Sequence, residues 1–490
     1  MSNARSKKQY TEYGDFQTPP DLAREICVLL STQGSNPSSI LESSCGKGNL
    51  LLSALDVFPN VVQAIGCDIN TEYVNHLSKE ITSRHYLAQV QVYPWNFFGV
   101  NWGQVLRSMI PPVLIIGNPP WVTNAALSTL GSTNLPEKSN FQGHSGLDAI
   151  TGKSNFDISE WMLINLLEAA KQTTTTIAVL CKTIVARKVL AYAWKREFHL
   201  SEASIYNIDA FKYFGASVDA CLLVVSVALG VGTAKACTVY NSIAGVTPTS
   251  SFGYVDGALI ANVGDYERWR FLQGTGTYRW RSGIKHDSAK VMELQLTPSG
   301  YKNGLGELCE LESTYLYPML KSSDIANSTT SAPTRWMIVT QRHIGESTEP
   351  IRHRAPKTWE YLNSHHELLG NRKSSLYRNR PPFSIFGVGS YSFSPWKVAI
   401  SALYKKLQFA LVAPFEGKPV VLDDTCNFIA CESKEEATFV LRLLNSEPAQ
   451  RFISSLIFWD AKRPLTLDIL NRLNLDLVAN EIEPIKRMLF

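Results

Sequence analysis

The sequence predicts an α/β fold: a seven-stranded, largely parallel sheet with helices on both faces, ending in an antiparallel hairpin and followed by an α+β domain. Three observations carry this. Helix and strand patterns alternate from about residue 21 to residue 230. Apolar runs such as "VLII" (113–116) read as strands buried on both faces. The link between the last two strands, "DAFKYFGASV", carries no helical period, which favours a hairpin over a helical crossover.

In chain order, "DLAREICVLL" (21–30) has helical spacing and "SILE" (39–42) is a short strand. "GNLLLSALDVF" (48–58) is a helix and "VVQAIGCDI" (61–69) a strand. "EYVNHLSKEI" is helical, "AQVQVYPW" (88–95) and "VLIIGN" (113–118) are strands, and "DISEWMLINLLEAAK" (157–171) is a helix. "TTIAVLCK", "EASIYNI" and "DACLLVVSVAL" (219–229) are strands five, six and seven. Beyond about residue 240 periodicity weakens and Gly, Ser, Pro and aromatic residues are frequent. The expected division is 1–240, a connecting region 241–330, and a second domain 331–490, with the first boundary in "AGVTPTSSFG" (244–253).

Composition narrows the class. A chain of 490 residues suggests two or three domains at about 150 residues each. The content is 45% hydrophobic and 18% charged, which is globular. Nine cysteines with no C-x-x-C pair give neither a zinc framework nor a secreted disulfide pattern, so a reducing cytoplasm is expected and no metal site. "MSNARSKKQY" has no apolar core of a signal peptide, and the apolar run at 220–232 is shorter than the ~20 residues a membrane helix needs. No membrane association is expected. The overall charge is +4, yet residues 335–406 hold 12 Lys/Arg against 4 Glu and no Asp. That local excess of 8 leaves the remainder of the chain net negative.

"ILESSCGKGNLL" (40–51) places a carboxylate, Glu42, at a strand end, then a Gly-rich turn, then a helix. Gly46 and Gly48 would let the backbone approach a ligand closely. The third glycine of a dinucleotide fingerprint and the Gly-Lys-Ser/Thr of a phosphate loop are both missing. The next strand ends in Asp68, suited to accept both hydroxyls of a ribose. A ribose-binding acid beside a turn with no phosphate grip suits a nucleoside with a charged tail, such as S-adenosylmethionine, with Glu42 near its ammonium end. Asn96 is placed for the adenine edge and Phe97 for its face, although a turn residue explains Asn96 nearly as well in isolation.

The strand at 113–117 runs into Asn118-Pro119-Pro120-Trp121. Prolines stop a strand because they donate nothing to the ladder; the Asn and the exposed-looking Trp need another reason. The lone pair of an exocyclic amino group on a nucleobase is delocalised into the ring. Two acceptors gripping its N–H bonds favour a pyramidal nitrogen that can attack a sulfonium methyl. Asn118 Oδ1 supplies one acceptor and a carbonyl of the Pro-Pro backbone the other. Trp121 offers a face for an extruded base, and such stacking contributes roughly 1–3 kcal/mol, comparable with the cost of unstacking one.

These motifs resemble the amino-DNA methyltransferases in which the cofactor motifs precede the catalytic motif and the target-recognition domain is C-terminal, the gamma order. "GDFQTPPDLA" (14–23) resembles the group's leading motif, with Thr18 at the matching position beside the methionine carboxylate. "ESSCGKGNL" resembles its cofactor loop, with Glu42, Ser44 and Cys45 in contact positions, and "GCDIN" its ribose motif at Asp68. "GNPPW" resembles the catalytic motif, Asn118 to Trp121, with Asn118 also an expected cofactor contact, and "SNFDISEWM" the helix closing the methionine side, with Phe156, a further expected cofactor contact, and Asp157. "DAFKYFGASVDACLLVV" resembles the hairpin that supplies a second aromatic against the flipped base, here Phe214 with Phe211 as competitor. The matches span about residues 13–230 in one consistent order. They imply a Rossmann-like methyltransferase sheet and adenine-N6 methylation of double-stranded DNA within a restriction-modification system. Two departures stand out: the adenine-edge position is more often Asp in this group, and Trp121 leans towards cytosine-N4 enzymes while Asn118 leans towards adenine N6.

The basic stretch 352–398 mixes Arg and Lys with Asn, Ser and aromatics, a composition that neutralises phosphates and reads base edges. Arg352, Arg354, Arg372, Lys373, Arg378 and Arg380 are the expected DNA contacts. The end of the chain resembles the closing segment of the same group's target-recognition domain. A monomer is expected, in a bacterial or archaeal cytoplasm; no nuclease segment is visible, so any restriction endonuclease would be a separate chain. Cytosine-N4 methylation, glutamine methylation of a protein and a catalytically silent DNA-binding subunit are the competing readings.

Overall fold

The computed structural model describes residues 16–123, 157–228, 233–461 and 463–482. The chain divides into two compact units, 1–263 and 264–490.

The first unit opens with α1 (Pro20–Thr32), which carries Pro20 and Asp21 in its first turn and buries Leu22, Ala23, Ile26, Cys27 and Leu30 along one face. Then β1 (Ser39–Glu42), α2 (Asn49–Val57), β2 (Gln63–Cys67), α3 (Thr71–Arg84), β3 (Gln89–Tyr93), α4 (Trp102–Arg107) and β4 (Val113–Gly117) follow. Every residue of β1 and β4 is buried, as helices on both faces of a parallel sheet require. Next come α5 (Ile158–Ala170), β5 (Thr175–Lys182), α6 (Thr183–Lys195), β6 (Leu200–Ile208), α7 (Ala210–Phe214) and β7 (Ala220–Val227).

The seven expected strands are contiguous in the order β6-β7-β5-β4-β1-β2-β3. Strands β1 to β5 pair in parallel, and β7 runs antiparallel to both β5 and β6. Two features depart from expectation. The β6–β7 connection contains α7, capped by Asp209, whose Oδ1 accepts from Lys212 N at 2.9 Å, and stopped by Gly215 at φ 65. Five helical residues are too few to show a period. The sheet also has ten strands, because β8 (Ala236–Tyr240), β9 (Ser250–Val255) and β10 (Ala258–Ile260) extend it beyond β6. Chain division therefore lies past the Gly/Ser-rich stretch 244–253, which includes part of a sheet strand.

Chain order reverses at β1, which pairs with β2 on one side and β4 on the other. Ligands of open α/β sheets sit at that point, beyond the carboxyl ends of the strands.

The second unit is α+β. It holds a six-stranded sheet in the order β14 (Leu308–Cys309), β13 (Gly300–Asn303), β12 (Glu293–Thr297), β16 (Arg335–Ile338), β15 (Leu316–Leu320), β19 (Val421–Leu422). A four-stranded sheet runs β11 (Arg281–Ser282), β20 (Cys426–Cys431), β17 (Trp396–Ser401), β18 (Phe409–Val412). The helix Lys434–Leu444 packs an apolar face of Ala437, Val440, Leu443 and Leu444.

Candidate functional site

The carboxyl ends of β1 to β4 deliver Glu42, Asp68, Asn96 and Asn118 to one cavity of about 450 Å³. That volume suits a small-molecule site. Its lining includes the acidic residues Glu42, Asp68 and Glu72 and no Lys or Arg. Such a lining favours a cationic ligand and disfavours phosphate.

Glu42 is 2% exposed, and its Oε2 accepts from Leu51 N at 2.9 Å. Burial, with a smaller push from Asp68, raises its carboxyl well above the usual carboxylate range, against the opposing pull of the Leu51 N–H. The turn after it is tied down from two sides. Asp68 Oδ2 accepts from Gly46 N at 2.8 Å and Oδ1 from Asn70 N at 2.8 Å. Gln17 Oε1 accepts from Lys47 N at 2.9 Å. Gly46 (φ 51) leaves the space that the Gln17 amide fills, since a Cβ there would lie 2.6 Å from Gln17 Oε1. Gly48 (φ 83) has a different role from the one expected. A Cβ on it would meet Leu77 Cδ1 at 2.3 Å, so this glycine serves the packing of α2 against α3, and it does not line the cavity.

Ser44 and Cys45 line the cavity, but Cys45 N is bonded to Cys67 O at 2.8 Å and its thiol is buried in the core. Burial raises that thiol, which stays protonated and unsuited to nucleophilic attack. Asn96 caps the 3₁₀ turn Phe97–Gly99, its Oδ1 accepting from Phe98 N at 3.0 Å, while it also lines the cavity. Phe97 is buried against Trp102 and Trp161 and lines the cavity. Trp95, stacked on Tyr93 at 4.2 Å and 5°, is a further aromatic wall that the sequence reading did not single out.

Asn118 sits where β4 ends. Its Nδ2 donates to Phe16 O at 2.8 Å and to Thr18 Oγ1 at 3.3 Å. The first partner only accepts, which fixes the orientation of the amide. Asn118 Oδ1 is buried and has no hydrogen-bond partner. Thr18 is thereby joined to the Asn118 turn, and Thr18 O also accepts from Asn49 Nδ2 at 2.8 Å, which straps the leading segment across the Gly-rich turn.

Trp121 is buried at 5% exposure, not exposed as its sequence context suggests. Its indole packs against Phe16 (5.6 Å between centroids) and edge-on against Phe214 (5.1 Å), and its Nε1 donates to Leu180 O at 3.4 Å. Phe214, not the 70% exposed Phe211, is therefore the aromatic beside it. Of the carbonyls after the prolines, Trp121 O accepts from Lys182 Nζ at 2.8 Å and Val122 O from Ile158 N at 2.9 Å. Lys182 Nζ also pairs with Asp157 Oδ2 at 2.6 Å, and Asp157 Oδ1 caps α5 through Ser159 N at 3.1 Å. Lys182 and Gln17 were missed in the sequence. Gln17 lies beside Thr18 in "FQTPP", and Lys182 is a lone cation ending an apolar strand. Phe156 lies outside the described residues.

In the second unit Arg352, Arg354, Lys373, Arg378 and Arg380 are exposed. Arg372 is not a free DNA contact. Its guanidinium donates to Leu369 O (2.6 Å), His286 O (3.1 Å) and Ser384 O (2.7 Å) and lies 3.6 Å over the Tyr377 ring, so it braces the fold. Among the described residues no group of His, Cys, Asp or Glu is placed to hold a metal ion, and no helix is long and apolar enough to cross a membrane.

No family model matches the chain. The type II methyltransferase M.NspV of Nostoc sp. is 44% identical over 481 residues, 97% of this chain and 99% of that protein. Among solved structures, the type IIL restriction-modification enzyme MmeI in complex with DNA aligns with TM-score 0.46 and 12% identity, over 86% of this chain and 60% of that chain. A methyltransferase subunit of a type I restriction-modification system from Streptococcus thermophilus aligns with TM-score 0.32 and 14% identity, over 46% of this chain and 47% of that chain. Both are too distant to carry function.

Proposed function

The chain belongs to the type II methyltransferases, and from that membership we propose that it transfers a methyl group from S-adenosylmethionine to the N6 of an adenine flipped out of double-stranded DNA, within a restriction-modification system. The observation that carries the reading is the Asn118 amide. Its donor side is consumed by Phe16 O and Thr18 Oγ1, and its buried acceptor is unpartnered beside a cavity that is acidic and holds no cation. A buried acceptor left unpaired costs about 1–3 kcal/mol, which a donor supplied by the substrate would recover.

The cavity fits a cationic nucleoside on its donor set alone. Asp68 would hold the ribose hydroxyls, Asn96 and Phe97 the adenine, and Glu42 and Thr18 the amino-acid end; the bound cofactor supplies an electrophilic methyl on sulfur. The chain's own task is to bind, orient and dry the amino group. Asn118 Oδ1 accepts one N–H of the target. With Trp121 O and Val122 O already engaged, the second acceptor comes from the carbonyls of Pro119 or Pro120. Gripping both N–H bonds draws the nitrogen towards a pyramidal form whose lone pair points out of the ring. Trp121 and Phe214 form the stacking walls, and their present edge-on contact must open to admit a base.

The full-length protein, incubated with tritiated methyl donor and duplex DNA and followed by nucleoside analysis, should yield labelled N6-methyladenine. Asn118→Ala should abolish labelling while retaining cofactor binding. Label in N4-methylcytosine would reassign the base and keep the mechanism; label in no nucleoside refutes the reading.

A further inference from the structure

We propose that two braced loops of the C-terminal unit, residues 342–346 and 378–381, form the element that reads base edges in duplex DNA, with Ile344 as an aliphatic wedge between Arg342 and Arg380. The assignment deepens the DNA-methylation reading and rests on it.

The loops are fixed to one another by polar side chains that are almost wholly buried. Thr340 Oγ1 donates to Phe383 O at 2.7 Å, and Thr348 Oγ1 donates to Pro382 O at 2.8 Å. Gln341 Oε1 accepts from Ile385 N at 2.9 Å, while its Nε2 donates to Glu346 O at 2.5 Å. Phe383, buried and packed on Trp359, takes φ 60, a conformation a bulky residue holds only where its surroundings impose it. Such bracing is out of proportion to a simple connection, and what it presents is an exposed tip of Arg342, His343 and Ile344.

The chemistry of the tip points to a nucleic acid duplex. Ile344 is 48% exposed, a large aliphatic projecting among cations. The Arg342 guanidinium lies 4.8 Å from the centre of the Phe393 ring, which orients its planar fork, and Arg380 Nη1 lies 3.9 Å from where a Cβ on Gly345 would stand, so the tips of the two loops are adjacent. The nearby acid, Glu346, is turned inward, accepting from Arg342 N and from His343 N at 3.3 Å and lying 3.6 Å from His343 Nδ1. Guanidinium forks lying against aromatic rings, Arg342 over Phe393 and Arg380 at 5.9 Å from the Phe386 ring centre, suit guanine edges, and an aliphatic side chain beside them suits a thymine methyl or a base step. An acidic protein surface would match the charge, but gives no reason to orient the forks or project the isoleucine.

The test uses the full-length protein carrying Arg342→Met, Arg380→Met or Ile344→Ser. Methyl transfer into a pooled duplex library is read by sequencing, duplex affinity by fluorescence anisotropy, and cofactor binding by calorimetry. Each arginine variant should lose about tenfold or more in affinity for the preferred duplex, relax the sequence preference at one position, and bind cofactor as wild type does. Ile344→Ser should lower transfer into the preferred duplex with an unchanged salt dependence of binding. Wild-type preference and affinity in all three variants overturn the assignment and leave the tip as a protein-docking surface. A wild-type protein that labels no duplex defeats the methylation reading itself, visibly before any variant is compared, and this assignment falls with it.

Discussion

Lys182→Met separates the holding of the Asn118–Trp121 segment from the holding of the fold. Lys182 Nζ donates to Trp121 O at 2.8 Å and pairs with Asp157 Oδ2 at 2.6 Å, with side chains only 20% and 9% exposed. A hydrogen bond from a charged donor is worth about 1.5–3 kcal/mol. Breaking a buried pair by removing one partner costs about 3–5 kcal/mol, because the other charge is stranded. Asp157 keeps Ser159 N and Ser159 Oγ as donors, and methionine retains most of the apolar stem, so about 3 kcal/mol of destabilisation is the working figure. In urea unfolding this appears as a lower midpoint with an unchanged slope. Turnover should fall about a hundredfold, the usual cost of a reacting group displaced by about 1 Å. KM for the methyl donor should change less, because Glu42, Asp68 and Asn96 stand on other strand ends. The double variant Lys182→Met/Asp157→Asn removes the stranded charge, so it should regain most of the stability and none of the turnover. If turnover returns with stability, or never fell, Lys182 does not position the segment.

Glu42→Gln keeps an acceptor for Leu51 N and removes a titration. Because burial raises the folded-state pKa above the unfolded value, the contribution of Glu42 to stability is fully present below the unfolded value of about 4.3 and declines as pH rises towards the folded one, by up to about 1.4 kcal/mol per pH unit. The glutamine variant should show a flatter pH–stability curve and weaker methyl-donor binding; an unchanged curve counts against the buried-acid account. Gly48→Ala should destabilise by about 2–4 kcal/mol, combining a left-handed alanine with overpacking against Leu77, and a further Leu77→Ala should relieve only the packing share of that loss. Arg372→Met, which orphans three carbonyls, should lower the melting temperature, whereas Arg378→Met should leave stability within about 0.5 kcal/mol and reduce the salt dependence of DNA binding.

What was legible in the sequence was whatever depends on neighbours along the chain. Strands β1 to β7 are short apolar or alternating segments between helical patterns, and the ends of four of them deliver Glu42, Asp68, Asn96 and Asn118 to one cavity. Helix α6 is equally legible, with Val185, Ala186, Val189 and Ala193 at helical spacing on its buried face. Strands β8 to β10 were hidden by their short length and by the Gly/Ser-rich residues between them. The misread residues all depend on partners distant in sequence. Gly48 answers to Leu77, Trp121 to Phe16 and Phe214, and Arg372 to His286 and Ser384. No local pattern distinguishes an arginine that will meet phosphate from one that will meet three carbonyls.

The candidate site and the fold make opposite demands on the same residues. A structure optimised for stability alone would give Asn118 Oδ1 a donor and would not bury Glu42 without a cation, since burying an unpaired acid forces it to stay protonated. Both groups instead stand at strand ends at the reversal point of the sheet, where backbone ladders terminate and side chains are free to face a ligand. The stabilising ties run to Thr18, Gln17, Leu51 and Lys182, which hold the Asn118 amide nitrogen, the turn backbone, Glu42 Oε2 and the Trp121 carbonyl and leave Asn118 Oδ1 alone. That division explains why the sequence motifs named Glu42, Asp68, Asn96 and Asn118, which face the cavity, whereas Gln17, Leu51 and Lys182, which hold the site, came into view only in three dimensions.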